Sequence, residues 1–363
     1  MNAVSTNKFK NFGKFLSART LQMSTVNISP TATEAGNYCI SFDDVKKAHF
    51  VIKPYVHQTP LMTCSFIDKL CGRNVFMKTE NLQKTGSFKI RGATNAVASL
   101  VKRKNKPDCI VTHSSGNHGQ AVAKAANNFH IPAYIVMPSN APECKKNAVK
   151  SYGGFVVECA PTEKAREQGA EKVCREKGGS FIHASQTAEV ISGQGTIAFE
   201  MLKQNPDLDA IVVPVGGGGM ISGITIAAKH IKPSIKIYAA EPEKANDCYL
   251  SKCNGYITPV DHPVVTIADG VKVTIGENAW PIIRDLVDDV ITVSEEQIIE
   301  ATRLVWERAK LVIEPTSGVG IAAIISEKFS KAKGMHGDVK NIGVVLCGGN
   351  ADVGTVAKIL TGV

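Results

Sequence analysis

The feature that most constrains the fold is an alternation of short apolar runs with longer helix-like stretches, which begins after Tyr38. The runs that predict strands are rich in β-branched residues and span 75–78, 109–114, 133–138, 155–160, 181–184, 210–215, 236–242 and 342–349. The stretches that predict helices span 92–102, 117–129, 142–151, 162–177, 189–204, 220–231, 295–310 and 316–332. This alternation predicts an α/β fold with mainly parallel sheets, because buried parallel strands are apolar along their whole length.

Composition and cysteine usage exclude several classes of protein. Apolar residues make up 44% of the 363 residues and aromatic residues 6%, which is typical of a globular chain and not of a fibrous or disordered one. The ten cysteines occur without a Cys-x-x-Cys pair, so neither a zinc ribbon nor a thioredoxin motif is present. Scattered thiols in a chain of this size predict a reduced, intracellular protein, and we expect a cytoplasmic location.

The formal net charge of +9 does not predict a nucleic-acid partner. Residues 1–33 contain no acidic residue and four basic ones, Lys8, Lys10, Lys14 and Arg19, so they carry +4 and leave +5 for the rest of the chain. No nucleic-acid-binding motif accompanies this modest excess. The basic extension of residues 1–35 is typical either of a disordered tail or of an organelle-targeting segment, which leaves an organelle address open.

The first of three glycine-rich loops, residues 84–92, contains a candidate nucleophile. Lys89 lies between two apolar residues at the start of a predicted helix. Apolar neighbours and a helix N-terminus both disfavour an ammonium group, so they lower the pKa of the lysine and free its amine. The competing interpretation is an ordinary surface lysine in a basic patch with Lys84 and Arg91.

The other two loops indicate anion binding. Residues 112–120 combine hydroxyl and amide side chains with backbone N–H groups at a helix N-terminus, which favours a bound carboxylate or phosphate over a plain capping turn. Residues 216–219 are consecutive glycines, whose N–H groups can converge on a phosphate. The glycine run fits neither the dinucleotide-binding nor the Walker A pattern. Because it interrupts the uncharged residues 210–228 together with Pro214, it also argues against a membrane span there.

A nucleophilic lysine, an anion pocket and a phosphate loop together suggest pyridoxal phosphate as the cofactor. In this interpretation Lys89 holds the aldehyde and the glycine run holds the phosphate. Cys347, near the C-terminus, offers a thiol to the pyridine nitrogen. The sequence therefore indicates an enzyme that uses a small phosphorylated cofactor.

Motifs along the chain carry a family resemblance. They are KTGSFKIRGA, THSSGNHGQA, VPVGGGGM, YAAEP, ADGVK, WPIIRDLVDD, VWER and IEPTSGVG. From about Tyr38 to Val363 the chain resembles the fold type II pyridoxal-phosphate enzymes, and within them the branch of serine racemases and serine/threonine ammonia-lyases. The resemblance implies an α/β fold like that of the tryptophan synthase β chain. It implies a large domain of residues 36–105 and 188–363 and a small mobile domain of residues 106–187.

The resemblance also implies the active-site residues. Lys89 and Ser115 would be the catalytic pair, acting on opposite faces of the substrate Cα. The residues implied to bind the cofactor are Phe88, Lys89, Asn117, Gly216, Gly217, Gly218, Gly219, Met220, Glu314 and Cys347. Those implied to bind the substrate are Ser114, Ser115, Gly116, Asn117, His118, Arg166, Ser185 and Gly270. Racemases of the family more often have serine at the position of Cys347, and this departure leaves the balance between racemisation and elimination open.

Further implied sites concern regulation. Glu241, Ala245 and Asp247 match a divalent-cation site that suits Mg²⁺ and also takes Ca²⁺ or Mn²⁺. Without the resemblance, these two acids after a strand would be read as surface residues. The residues that match an allosteric ATP site at the interface of a homodimer are Lys84, Thr85, Gln120, Tyr152, Lys310 and Asn350.

The implied reaction is the interconversion of L- and D-serine, with β-elimination of serine to pyruvate and ammonia as a side activity. The alternatives are a serine/threonine ammonia-lyase, an aspartate racemase and a non-catalytic ligand-binding module. Ser185 and Val273 stand where serine-acting relatives tend to have Asn and Ser. Serine is nevertheless favoured over aspartate, because Arg166 is the one candidate partner for a second carboxylate. The expected partners are an amino-acid substrate and a second copy of the chain, with no nucleic acid and no membrane.

Overall fold

Two β-sheets organise the chain, and a computed structural model describes residues 38–261, 263–337 and 339–361. The strands are β1 Leu61–Met62, β2 Asn74–Thr79, β3 Cys109–His113, β4 Ala133–Pro138, β5 Phe155–Cys159, β6 Gly179–Phe181, β7 Ala210–Pro214, β8 Lys236–Pro242, β9 Asp289–Val293 and β10 Asn341–Leu346. The larger sheet has the order β1-β2-β10-β7-β8-β9, and the smaller has the order β5-β4-β3-β6. Every pairing is parallel except that of β1 with β2.

Helices surround both sheets. They are α1 Phe42–Ile52, α2 Ser65–Cys71, α3 Lys89–Val101, α4 Asn117–Asn128, α5 Glu143–Ser151, α6 Glu163–Lys177, α7 Ala188–Gln204, α8 Gly219–Ile231, α9 Asp247–Asn254, α10 Trp280–Leu286, α11 Glu295–Leu304, α12 Pro315–Ile325, α13 Glu327–Ser330 and α14 Val353–Thr361. A π-helical turn, Val305–Ala309, continues α11. Among the described residues, no helix combines the length and apolarity that a membrane crossing requires.

The predicted α/β fold with mainly parallel sheets is confirmed, and each predicted strand has a counterpart. The largest shift is in the run 181–184, because β6 ends at Phe181 and the residues after it form a turn. The predicted helix 295–310 ends as an α-helix at Leu304, and the predicted helix 316–332 is divided at Ser326. The division into domains stays a prediction, although all strands of the smaller sheet lie within residues 106–187. The basic extension lies outside the described residues.

The topology places the candidate loops together. In the larger sheet β2, β10 and β7 run side by side in one direction, with Val344 between Met77 and Val212. Their carboxyl ends therefore share one edge, where ligands bind in open parallel sheets. The loop before Lys89, the Cys347 segment and the glycine run all begin at this edge. In the smaller sheet β3 leads into the loop that contains Ser114 and Ser115 in the same way.

Candidate active site

Lys89 stands at the first position of α3 and points into a cleft. The side chains and backbone that line this cleft belong to Phe88, Lys89, Ser185, Gly216, Gly217, Gly218, Gly219, Met220, Gly270, Val271, Thr316 and Cys347, with neighbouring residues of β7 and α8. Lys89 Nζ donates a 3.3 Å hydrogen bond to the carbonyl of Ala184 and lies 4.9 Å from the centre of the Phe88 ring. Desolvation lowers the pKa of Lys89 to about 8, against the opposing effect of nearby Cys347 and Glu314.

The basic-patch interpretation of this loop is wrong. Arg91 is fully buried, and Lys89 is half-buried in the cleft. A lysine with a pKa near 8 has a sizeable fraction of free amine at neutral pH, which a nucleophile requires. The structure thus supports the interpretation of Lys89 as a reactive amine.

The glycine run forms a cradle in which no side chain fits. A Cβ at Gly217 would lie 2.4 Å from Ser185 Oγ, and one at Gly219 would lie 2.9 Å from Ser185 Cα. Gly218 has a φ of +82°, in the left-handed region that favours glycine. The N–H groups of Gly217, Gly218 and Gly219 donate to no acceptor within the described parts of the chain. Unpaired donors at the N-terminus of α8 suit a phosphate group, so the cradle fits the phosphate of pyridoxal phosphate.

Cys347 follows β10 and is buried beside the cleft. Its Sγ lies 3.4 Å from Ser317 Oγ, and burial raises the pKa of the thiol well above its usual value. Cys347 is therefore neutral and able to share a hydrogen bond with a ring nitrogen. Its carbonyl accepts from the N–H of Phe88 at 3.0 Å, which joins the end of β10 to the segment that carries Lys89.

Glu314 is a buried carboxyl group of the site that few local signals in the sequence identify. It precedes α12, and Asn117 Nδ2 donates to both of its carboxylate oxygens. Desolvation and, less strongly, the Asp269 carboxylate raise the pKa of Glu314 to about 7, against the lowering effect of the Asn117 hydrogen bonds. The oxygen of the Asn117 side chain accepts from Asn350 Nδ2 at 2.8 Å. The polar face of Asn117 is thus occupied by protein groups in this structure.

The loop after β3 brings Ser114, Ser115, Gly116 and His118 to the same edge of the smaller sheet. Ser114 Oγ accepts from the N–H of Gly116 at 3.2 Å, and Ser115 is half-buried in the turn. His118 Nε2 lies 3.2 Å from the carbonyl of Ile182, and desolvation lowers the pKa of His118 to about 3. His118 is therefore neutral at physiological pH. None of these residues is among those that line the cleft around Lys89.

The turn after β6 contains two residues, His183 and Gln186, that the sequence does not single out and that support the cleft lining. His183 Nδ1 accepts from the backbone N–H groups of Ser185 and Gln186, each at 3.1 Å. Burial lowers the pKa of His183 to about 4, so this acceptor stays free of a proton. Gln186 Nε2 donates to the carbonyl of Gly217 at 3.1 Å, and its Oε1 accepts from the N–H of Asn278. No local sequence pattern predicts the bridge formed by Gln186, because its partners Gly217 and Asn278 are distant in sequence.

Of the residues predicted to set substrate specificity, Ser185 and Gly270 line the cleft, whereas Val273 and Arg166 do not. Ser185 is buried against the glycine run, and Gly270 donates its N–H to Thr316 Oγ1 at 3.0 Å. Val273 is 52% exposed and would lie 3.6 Å from a Cβ at Gly217. Arg166, on α6, lies near His113 and does not line the cleft.

Glu241 and Asp247 are buried carboxyl groups, and the charge of Asp247 contributes to raising the pKa of Glu241. Glu241 accepts from the N–H groups of Tyr249 and Cys248, and Asp247 accepts from that of Ile275. Desolvation raises the pKa of Glu241 well above its usual value and that of Asp247 to about 6. Neither carboxyl group forms a salt bridge with a basic residue in the described ranges. Those ranges also contain no cluster of three or more His, Cys, Asp or Glu side chains, so a cation here would need carbonyl and water ligands as well.

Of the residues predicted to bind ATP, only Asn350 and Thr85 are joined by a hydrogen bond in the described chain. Asn350 Nδ2 donates to the carbonyl of Thr85 at 2.7 Å, and Thr85 Oγ1 is buried without a partner in the described residues. Thr85 and Lys310 have φ angles of 64° and 60°, which are unusual for residues other than glycine. No hydrogen bond links Lys84, Gln120 or Tyr152 to this group among the contacts of the described chain.

Comparisons with known proteins agree with this geometry. Residues 52–348 match the protein family described as pyridoxal-phosphate dependent enzyme. The serine racemase of Homo sapiens is 57% identical over 318 residues, which cover 87% of this chain and 93% of that protein. The structure of maize serine racemase superimposes with a TM-score of 0.85 at 42% identity, covering 90% of this chain and 98% of its own. A pyridoxal 5'-phosphate-dependent aspartate racemase superimposes with a TM-score of 0.82 at 39% identity, covering 88% of this chain and 98% of its own.

Proposed function

The chain belongs to the family of pyridoxal-phosphate dependent enzymes, and from that membership we propose that it interconverts L- and D-serine. β-Elimination of serine to pyruvate and ammonia is the second activity that we propose. The observation that carries the proposal is the placement of Lys89, with its lowered pKa, beside a glycine cradle whose N–H groups have no acceptor among the described residues. The similarity to serine racemases over most of the chain supports the choice of substrate.

Lys89 is proposed to hold the cofactor and to move the Cα proton on one face of the substrate. When bound, pyridoxal phosphate withdraws electrons from the substrate Cα and makes its proton acidic. Lys89 Nζ then needs a pKa near the working pH to accept and return that proton, and desolvation in the cleft provides such a value. The neutral thiol of Cys347 would face the pyridine nitrogen, and the glycine cradle would bind the phosphate.

Ser115 is proposed to exchange the proton on the opposite face. Racemisation requires an acid/base group on each side of Cα, whereas elimination requires only one. Ser115 occupies the turn between β3 and α4, in the loop that would also bind the substrate carboxylate through Ser114, Gly116, Asn117 and His118. Closure of residues 106–187 over the larger sheet would exclude water from the reacting carbon.

Aspartate is the second candidate substrate, and Ser185 is the observation that favours it. Ser185 is smaller than asparagine and leaves room beside the substrate's β-carbon. Val273, where serine-acting relatives often have serine, removes one candidate contact to the substrate carboxylate. A second carboxylate in the closed site needs a cationic partner, and Arg166 is set back beside His113. We therefore retain serine as the main substrate. Assay of the purified protein with L-Ser, D-Ser, L-Thr and L-Asp, measuring both the enantiomer and the keto acid, tests this choice and the ammonia-lyase alternative.

We also propose that a divalent cation, most simply Mg²⁺, binds Glu241, Asp247 and the carbonyl of Ala245. Two buried carboxyl groups with raised pKa values and no basic partner in the described chain are stabilised by a cation, which offsets their mutual repulsion. Mg²⁺ would complete its octahedral shell with waters. The site would then link the end of β8 to the start of α9.

The proposed assembly is a homodimer with ATP as an activator. Large apolar side chains are exposed along α2 and next to it, and they belong to Phe66, Leu70, Leu82 and Val312. These segments are joined by the contact of Arg308 with the Phe66 ring and by a hydrogen bond from Asn81 to the carbonyl of Val312. Lys84, Thr85 and Lys310 lie next to the same segments in sequence, which supports an ATP site at that surface. Light scattering with and without ATP tests both proposals, and a cytoplasmic location remains our expectation.

A further inference from the structure

Four buried charged residues lie beside the segment that carries Lys89, and the proposed sites use none of them. They are Lys78 on β2, Glu80 after β2, Arg91 on α3 and Glu200 on α7. Each side chain is 5% exposed or less. Such a cluster is costly to desolvate, and apolar side chains of similar volume often give equal or greater stability. Stability alone therefore does not account for its presence.

Arg91 is held on two sides by carboxylates. Its Nε and Nη2 donate to the two oxygens of Glu80 at 2.7 and 2.8 Å. Its Nη1 and Nη2 donate to the two oxygens of Glu200 at 2.7 and 2.8 Å. Lys78 Nζ also donates to Glu200 at 2.8 Å, so two positive and two negative charges balance. Fork-to-fork pairing of this kind fixes a guanidinium in position and orientation.

The salt bridge between Glu80 and Arg91 connects the two ends of the segment that carries Lys89. Glu80 directly follows β2, and Arg91 lies in the first turn of α3. Phe88, which precedes this helix, provides no side-chain capping bond, and its backbone N–H bonds the Cys347 carbonyl, so the helix start is held by backbone contacts to the end of β10 on one side and by Arg91 on the other. Residues two apart on a helix project about 200° apart, so Arg91 faces the buried cluster when Lys89 faces the cleft.

We propose that Arg91, clamped between Glu80 and Glu200, is a positioning residue for Lys89. Within the described residues, the flexible Lys89 side chain has one hydrogen bond, to Ala184, so the position of its Nζ depends on where the first turn of α3 is held. The clamp holds that turn to the end of β2 and to α7. This inference rests on the proposed role of Lys89 as the residue that carries the cofactor.

The decisive variant is Arg91→Lys in the cofactor-loaded enzyme, because it keeps the charge balance and removes the fork. A displacement of Lys89 Nζ by about 1 Å should lower kcat for racemisation and elimination by the same factor, roughly 10- to 100-fold, with KM within about twofold. The pH titration of the bound cofactor's visible absorbance should shift as well. Glu80→Gln should give the same changes, and the double variant should be no worse than the more affected single variant.

Phe329→Leu serves as the control for general destabilisation, because Phe329 is buried against Tyr238 in another part of the core. It should lower the melting temperature and leave kcat and the absorbance titration unchanged. The inference is overturned if Arg91→Lys lowers the melting temperature but leaves kcat and the absorbance titration unchanged. If Arg91→Lys does not fold, the same criterion applies to Glu80→Gln. If Lys89→Ala keeps covalently bound cofactor, the proposed function itself fails, and the two failures are thereby distinguished.

Discussion

Asn117 Nδ2 donates to both carboxylate oxygens of Glu314, at 3.0 and 3.1 Å. This pair ties the loop after β3, in the smaller sheet, to the start of α12, which packs on the larger sheet. The Glu314 carboxyl group is buried, so the bond between the two parts of the molecule depends on a group whose charged form is disfavoured by desolvation. Its pKa, raised to about 7, places the titration in the physiological range.

Glu314→Gln should flatten the dependence of stability on pH between about 4.5 and 7. The folded protein holds the Glu314 proton more tightly than the unfolded chain does, so wild-type stability falls as the pH rises through this window. The contribution lost is on the order of 3 kcal/mol. Denaturant unfolding at several pH values measures it. Glu307→Gln, at an exposed acid, should leave the wild-type profile unchanged, and an identical profile for Glu314→Gln would contradict the assignment.

Lys89→Ala should abolish racemisation and elimination together, because both use the same amine. Borohydride reduction followed by peptide mapping should recover the pyridoxyl label on Lys89 in the wild-type protein. Lys104→Ala, which replaces an exposed lysine shortly after α3, should retain the label on Lys89 and the activity. Recovery of the label on any other lysine would refute the role of Lys89.

Ser115→Ala should lose conversion of L- to D-serine and keep elimination from L-serine. Loss of one acid/base group typically costs about 10²-fold or more, and Lys89 alone can remove the proton that elimination requires. Chiral chromatography and a pyruvate assay on the same samples separate the two activities. Racemisation above about a tenth of the wild-type rate would mean that another group serves the second face.

Removal of the divalent cation should lower the melting temperature, because a ligand bound only by the folded state stabilises it. EDTA should cause this loss and Mg²⁺ should reverse it. The affinity for Mg²⁺ should fall as the pH drops through about 6, since the Asp247 carboxyl must lose its proton to bind the metal. Glu241→Ala should be insensitive to EDTA, whereas Glu243→Ala, at an exposed acid paired with Lys328, should respond like the wild type.

Substrate preference should favour serine over aspartate, with measurable racemisation of aspartate. Ser185→Asn should raise this preference by filling the space next to the glycine run, where Ser185 now packs against Gly217 and Gly219. The ratio of kcat/KM for L-serine to that for L-aspartate is the quantity to measure in both proteins. A larger kcat/KM for L-aspartate in the wild-type protein would make aspartate the substrate.

The strands of both sheet interiors could be predicted because parallel strands buried on two faces are continuous apolar runs. β9 is not predicted, because it lacks such a continuous apolar run. It lies at the edge of the larger sheet, and Asp289 and Thr292 interrupt its apolar residues. α1 was also missed, although a capping box of Ser41 and Asp44 marks its start. An edge strand that polar residues interrupt carries a weaker local pattern than the apolar strands it borders.

Lys89 and the glycine run could be identified because local sequence determines their chemistry: apolar neighbours, a helix start and consecutive glycines. The burial of Arg91 could not be, since it depends on Glu200, which is brought to it from α7 by the fold. The bridge formed by Gln186 to Gly217 and Asn278 is long-range in the same way. The sequence thus identifies the residues proposed to react, and the structure adds the contacts that surround them.

The Gln186 bridge also constrains which substitutions the chain can accept and in which order. A Cβ at Gly276 would lie 1.8 Å from Gln186 Nε2, so any side chain at position 276 displaces the amide. A side chain at position 276 would therefore break the Gln186 bond to the Gly217 carbonyl and leave that carbonyl with the 3.4 Å bond from the N–H of residue 276. Substitutions at positions 276 and 186 are therefore expected to depend on each other, because a smaller residue at 186 makes room for a side chain at 276 and gives up the bridge to Gly217.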